Sequence, residues 1–224
     1  AMRILTALLA LVALPAFAQT PPAAARIAAY TGLHRAAHDG DAVAIRSLIA
    51  GGADTEETDP DGRTPLIVAA FASQDGAFAA LAEGGADVNA QDPVGYDAVT
   101  IAAVADDPDL MSLALSLGNR PGNIHTNWNG TALIAAAHLG HAEVVRRLIA
   151  AGSPLDHVNN LGWTALIEAV VLGDGGPDHQ ATVRALVDAG ADAGIADRDG
   201  RTPLKLAEDR GYDAIAVIIR SGGG

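Results

Sequence analysis

One spacing constrains this chain more than any other property of it. Thr31-Gly32-Leu33, Thr64-Pro65-Leu66, Asp97-Ala98-Val99, Thr131-Ala132-Leu133, Thr164-Ala165-Leu166 and Thr202-Pro203-Leu204 begin 33, 33, 34, 33 and 38 residues apart. Small residues follow each start in step: Ala36-Ala37, Ala69-Ala70, Ala102-Ala103, Ala136-Ala137, Glu168-Ala169 and Ala207-Glu208. A glycine comes 21 residues after the first four starts (Gly52, Gly85, Gly118, Gly152), and in the fifth unit it is Gly190, five residues late. A period of this length means that each unit is one supersecondary element, able to bury its apolar side only against its neighbours.

The chemistry of one unit can be read directly. Thr, or Asp97, suits the N-cap of a helix, where its side-chain oxygen accepts an orphan backbone N–H. Pro65 and Pro203 stand at the next position, where a preset φ favours a helix start. A short helix follows with Leu and the small pair inward, and Gly40, Gly140 and Gly211 are placed to end it in the left-handed conformation. A second helix comes next, as in Ala142-Glu143-Val144-Val145-Arg146-Arg147-Leu148-Ile149, apolar at helical spacing. Gly-Ala-Asp segments (Gly52, Gly85 and Gly190 onward) close it, and Asp61-Gly62 and Asp199-Gly200 predict tight turns into the next unit. Only 4% of the chain is aromatic although half is apolar, and its Ala and Leu favour thin, closely packed helices.

Gly62-Arg63-Thr64-Pro65-Leu66, Gly85-Ala86-Asp87-Val88-Asn89-Ala90 and Gly140-His141-Ala142-Glu143-Val144-Val145 resemble the ankyrin repeat. The resemblance implies an all-α repeat solenoid: six helix-turn-helix units over residues 28–221, with β-hairpin-like fingers at right angles and the first and last units as caps. It also implies partner binding on the concave groove formed by finger tips and first helices. Arg35 and Asp39 at one end, and Lys205, Asp209 and Arg210 at the other, suit polar caps. Three departures stand out. Unit three has Asp97 for Thr and no Gly before Asp107-Pro108. Two extra residues lie between Gly118 and Gly130, where Arg120-Pro121-Gly122-Asn123 reads as a widened loop. Unit five carries five extra residues in Gly173–Gln180, read as a solvated, dispensable loop.

Residues 1–18 have the pattern of an export signal. Arg3 is followed by an apolar run from Ile4 to Leu14, then Pro15 and the small-residue pattern Ala16-Phe17-Ala18, which places the cut before Gln19. The run is too short to span a bilayer, so no stable membrane insertion is expected after its removal. Ala1, ahead of the Met, reads as a cloning remnant. Residues 19–27 are expected as a linker and 222–224 as a tail. With no cysteine and few lysines, the exported chain is expected in a Gram-negative periplasm.

Without Arg3 the chain has 13 basic and 27 acidic side chains, a net charge of −14. Such a field repels nucleic acid and anionic membranes and suits a basic protein partner. The absence of cysteine excludes disulfides, thiolate zinc sites and a cysteine nucleophile. His34 and His38, four apart beside Asp39 and Asp41, could hold zinc, but no third ligand is fixed by spacing. His34 occupies a position where the resemblance implies a structural histidine, and so does His141. Asp174 and Asp178 lack the alternating ligands of a calcium loop. No nucleophile elbow, phosphate loop or dinucleotide fingerprint is present. No cofactor, metal site or catalytic residue is assigned, and the chain is not expected to be an enzyme.

Register places Arg63, Tyr96, Trp163 and Arg201 in one slot, directly before the N-cap. Trp128 falls at a finger tip, and Phe71 and His138 share a slot one residue past the small pair. The resemblance implies that these seven residues line the groove, with Tyr96, Trp128 and Trp163 as an exposed aromatic row. Trp, Tyr and Arg are the usual interface anchors, although the rings could instead pack between fingers. The expected function is a periplasmic protein-binding module of an inhibitor or immunity type. The alternative is a structural or chaperone-like accessory to an exported enzyme.

Overall fold

The computed structural model describes residues 19–125 and 128–222, the side chain of His125 excepted. The signal pattern of residues 1–18 therefore lies outside the described residues. A short helix α1 (Ala24–Ala28) precedes six helix pairs. These are α2 (Gly32–Asp39) with α3 (Ala42–Ala50), α4 (Pro65–Phe71) with α5 (Asp75–Glu83), and α6 (Ala98–Ala105) with α7 (Pro108–Ser116). They continue with α8 (Ala132–Leu139) and α9 (Ala142–Ala150), α10 (Ala165–Val171) and α11 (Pro177–Asp188), and α12 (Pro203–Asp209) and α13 (Asp213–Gly222). First helices stack on first helices, and second helices on second helices, along the whole array. The expected six units and all-α solenoid are what the chain forms.

The core runs continuously between the two rows. Leu66, Leu133 and Leu166, two residues after their N-caps, are fully buried, and so are the small pairs at Ala69-Ala70, Ala102-Ala103 and Ala136-Ala137. Each buried Leu contributes about 1.5–3 kcal/mol, while the alanines let adjacent first helices approach closely. Five of the six expected N-caps form. Thr64, Asp97, Thr131, Thr164 and Thr202 accept the N–H three residues on, at 2.9–3.4 Å. Thr31 makes no such bond. Gly32 behind it takes φ +53°, where the other units place Pro or Ala, so the chain enters α2 along a different path. In unit three, which has no glycine before its second helix, Asp106 adopts φ +52° to end α6, a conformation Asp tolerates better than most side chains.

Asp97 also explains the widened loop. Its Oδ1 accepts from the N–H and hydroxyl of Thr100, and its Oδ2 accepts from Asn123 (2.8 Å) and Asn119 (3.3 Å). The carboxylate thus caps α6 and ties the 120–123 loop to the helix start, which a threonine could not do. Beyond that loop, β1 (Ile124–His125) and β2 (Gly130–Thr131) form a two-stranded antiparallel ladder pairing Ile124 with Thr131.

The Gly173–Gln180 segment corrects the expectation of a solvated loop. Half of it is the first turn of α11, and Gly173 is buried. Tyr212 donates its hydroxyl to the Gly173 carbonyl at 3.1 Å, and Gln180 its amide to Gly175 at 2.8 Å. The His179 ring lies between the Asp174 carboxylate and the carbonyl of His138, 3.0 Å from each. Gly175, at φ +73°, lies so near the Tyr212 ring that a Cβ would sit 2.6 Å from it. His179 meets an orphan carbonyl at the end of α8, and the longer segment sets Gly173 and Gly175 against Tyr212 of unit six.

Candidate partner-binding face

Each regular finger is built on one buried Asx side chain. Asp59 Oδ1 accepts the N–H groups of Asp61 (2.8 Å) and Arg63 (2.9 Å), while its own N–H donates to the Arg63 carbonyl at 2.9 Å. Asp92 holds Val94 and Tyr96 in the same way, Asn159 holds Leu161 and Trp163, and Asp197 holds Asp199 and Arg201. Arg63, Tyr96, Trp163 and Arg201 therefore occupy one backbone station. Reading the turn from Asp61-Gly62 and Asp199-Gly200 missed this hub. Its signal is an Asx five residues ahead of the N-cap in units two, three, five and six, a residue type whose side chain bonds its own backbone two residues on.

The side chains at that station meet different surroundings. Arg63 is buried, Tyr96 is only 6% exposed, Trp163 is half-buried against the core, and Arg201 is exposed. The expected exposed row of Tyr96, Trp128 and Trp163 is thus corrected. The station adjoins a buried N-cap and first helix, so a ring there joins the core. Burial pushes the Tyr96 phenol upward, and the carboxylate of Asp92 adds to it. Trp128 is half-buried at its finger tip, and its carbonyl accepts the Asn160 N–H of the next finger at 2.8 Å. His157 and the Asn129 carbonyl, 2.6 Å apart, join the same two fingers.

Phe71 and His138 also share a slot with unlike neighbours. The Arg63 guanidinium stands 5.9 Å from the Phe71 ring centre. His138 Nδ1 lies 3.2 Å from the buried carboxylate of Glu168, whose other oxygen accepts from Asn159 at 2.8 Å. Leu139, the next residue, is 36% exposed. His34 and His141 also tie units together: His34 Nε2 lies 3.0 Å from the Arg63 carbonyl, and His141 Nδ1 lies 2.8 Å from that of Ala103. No group of three or more potential metal ligands occurs among the described residues.

The face is not uniformly open, because residues 19–27 cross it. Pro22 is buried, and Pro21 and Pro22 line a small cleft with Ile27, His38, Val68, Phe71 and Ala72. Arg63 Nη2 donates to the Thr20 carbonyl at 3.0 Å, and the Gln19 side-chain amide reaches the Thr100 carbonyl on α6 at 2.9 Å. Arg26 pairs with Asp61 at 3.0 Å. The stretch expected as a linker is thus α1 and an extended arm laid over the first helices of units one to three.

A family model described as ankyrin repeats, three copies, matches residues 10–92 and 99–197. The chain belongs to the ankyrin repeat family. It is 35% identical over 190 residues to the Escherichia coli protein YahD, named as an ankyrin repeat protein, spanning 84% of this chain and 94% of that one. An ankyrin repeat domain from Acinetobacter baumannii superposes with a TM-score of 0.81 at 40% identity, covering 85% of this chain and 97% of that one. A chain from the complex of a predatory endopeptidase of Bdellovibrio bacteriovorus with its immunity protein superposes with a TM-score of 0.70. At 22% identity, over 86% of this chain and 98% of that one, this likeness shows the fold alone. Ankyrin repeats are protein–protein interaction modules and generally non-enzymatic scaffolds. Among the described residues no helix is long and apolar enough to cross a membrane.

Proposed function

We propose that this ankyrin repeat protein is exported to the periplasm and inhibits or neutralises a basic protein partner there. The observation that carries the reading is the half of the face that residues 19–27 do not cross, where Trp128 and Trp163 stand partly exposed in consecutive fingers and Leu139 and Arg201 are exposed in units four and six. Large amphipathic rings at such a place are the usual centre of a binding patch. The net charge of −14 supports a basic partner, since it speeds encounter through long-range attraction. The export pattern ending at Ala18 supports the compartment. The likeness in fold to a chain of an endopeptidase–immunity protein complex is consistent with this role.

The test starts from mature protein immobilised in periplasmic extract, followed by kinetics with the captured partner. Association should slow steeply as salt rises through the physiological range. Trp128→Ala should weaken binding by about 2 kcal/mol, the scale of an interface anchor, with little change in melting temperature. An association rate indifferent to salt would point instead to the accessory role, and unchanged affinity in Trp128→Ala would move the site elsewhere.

A further inference from the structure

The arm at residues 19–23 has the features of a bound peptide rather than a chain end. It forms no helix or strand, Ala23 is extended, two consecutive prolines stiffen it, and its contacts run from unit three at Gln19 back to units two and one. Three successive first helices face it: α2 with His38 and α4 with Val68 and Phe71 line the cleft that holds its prolines, Ala72 just past α4 completing it, and α6 accepts from Gln19 at the Thr100 carbonyl. Its polar contacts use one backbone carbonyl, that of Thr20, and one side-chain amide, that of Gln19. Its two prolines share a small cleft with the Phe71 ring, and aromatic-lined clefts are how extended proline-bearing segments are recognised elsewhere.

Arg63 makes the receiving surface specific. Its side chain is 10% exposed, its two terminal nitrogens contact Asp61 and Thr20, and its Nε, buried, has no hydrogen-bond partner among the described residues. A guanidinium held by finger carboxylates and turned over Phe71 presents donors to whatever carbonyl lies across it. At Arg201, in the same station four units on, no comparable contact with an arm occurs among the described residues and the side chain is 45% exposed.

We propose that residues 19–23 are an intramolecular ligand of the face of units one to three, seated by Arg63, Phe71 and the Thr100 carbonyl. A partner bearing an extended, proline-containing segment competes with them for that seat. This rests on the same face as the proposed function but needs no partner for its test, so the two can fail separately.

The experiment compares ¹⁵N spectra of the chain beginning at Gln19 with those of a shortened chain beginning at Ala24. Amides around Phe71 and Thr100 should move on shortening. An amidated synthetic peptide of residues 19–23 should return them saturably, at roughly millimolar concentration, comparable to what a short tether supplies. The same peptide with both prolines replaced by glycine should not. No response to the peptide at about 10 mM overturns the proposal, as does an unmoved spectrum on shortening. Should the shortened chain not fold, the full chain carrying Pro21→Gly and Pro22→Gly serves instead. Its Phe71 and Thr100 amides should shift and the exchange of the arm's own amides should quicken; a spectrum identical to the parent overturns the proposal.

Discussion

Arg63 and Arg201 hold the same station in units two and six, yet they are different residues physically. Each donates its N–H to an Asx oxygen four residues back at 2.9 Å. Each guanidinium reaches the carboxylates two and four residues back, at 3.0 and 3.6 Å for Arg63 and 2.9 and 2.8 Å for Arg201. Only Arg63 lies under the N-terminal arm, with Phe71 against it. The repeat determines where a side chain leaves the backbone, and the neighbouring units and chain ends determine whether it is available. That is why the two halves of one face differ: units one to three are covered, and units four to six present Trp128, Trp163, Leu139 and Arg201.

If the halves differ only at the surface, their cores should respond alike. Leu66→Ala in the covered half and Leu133→Ala or Leu166→Ala in the open half should each cost about 2–5 kcal/mol, measured by urea unfolding. A loss confined to one half would break the idea of a continuous core. Trp163→Ala should also lower stability, since its ring packs on that core, whereas Trp128→Ala should do so less.

The surface difference itself is sharpened by the arginine pair. Arg63→Ala removes a buried charged donor and should cost about 1.5–3 kcal/mol. Arg201→Ala, whose ion pairs are solvent-screened, should cost under about 1 kcal/mol. Equal costs would mean that the arm contributes nothing to the environment of Arg63. On the open side, His179→Ala loses the link between Asp174 and the α8 carbonyl, for about 1–2 kcal/mol. An unchanged melting temperature would restore the solvated-loop reading of the insertion.

What was legible in the sequence follows one rule. Contacts that recur with the period were readable: the Leu and Ala positions, five of six N-caps, and the shared station of Arg63, Tyr96, Trp163 and Arg201. Contacts outside the period were not. Gln19 meets Thr100 at a separation of 81 residues and Arg63 meets Thr20 at 43, and neither is the spacing of adjacent units. Tyr96 is buried where exposure is expected, because sharing a station says nothing about cover. His179 is the instructive middle case. It stands 15 residues after Thr164, as His141 stands 10 after Thr131, so the five-residue insertion merely delays a residue that ties its unit to the one before. The register contained that signal, but the extra glycines obscured it.

The smallest expected effect lies in the carboxylates that organise the fingers, and it separates the two halves by pH. Burial pushes the Asp59 carboxyl up, yet the N–H groups of Arg63 and Asp61 and the Tyr30 hydroxyl, 2.8 Å away, outweigh it and hold the group below its ordinary value. Asp197 is likewise pushed up by burial and held down overall, by the Arg201 N–H and guanidinium and the Asp199 N–H. A carboxyl with a depressed folded-state value binds fewer protons folded than unfolded. Its contribution to stability is therefore complete above the unfolded value near 3.9 and is lost as pH falls through the folded one. Tyr30→Phe removes a donor that only the covered half supplies, so the Asp59 carboxyl should titrate at higher pH while Asp197 stays in place. Carboxyl-carbon chemical shifts followed from about pH 2 to pH 7 would read both groups in one sample, a window spanning the ordinary carboxylate value. A Tyr30→Phe variant that moved both together would mean that acid loosens the array as a whole. Movement of Asp59 alone would show that the phenol acts locally, on the one finger that also holds the arm.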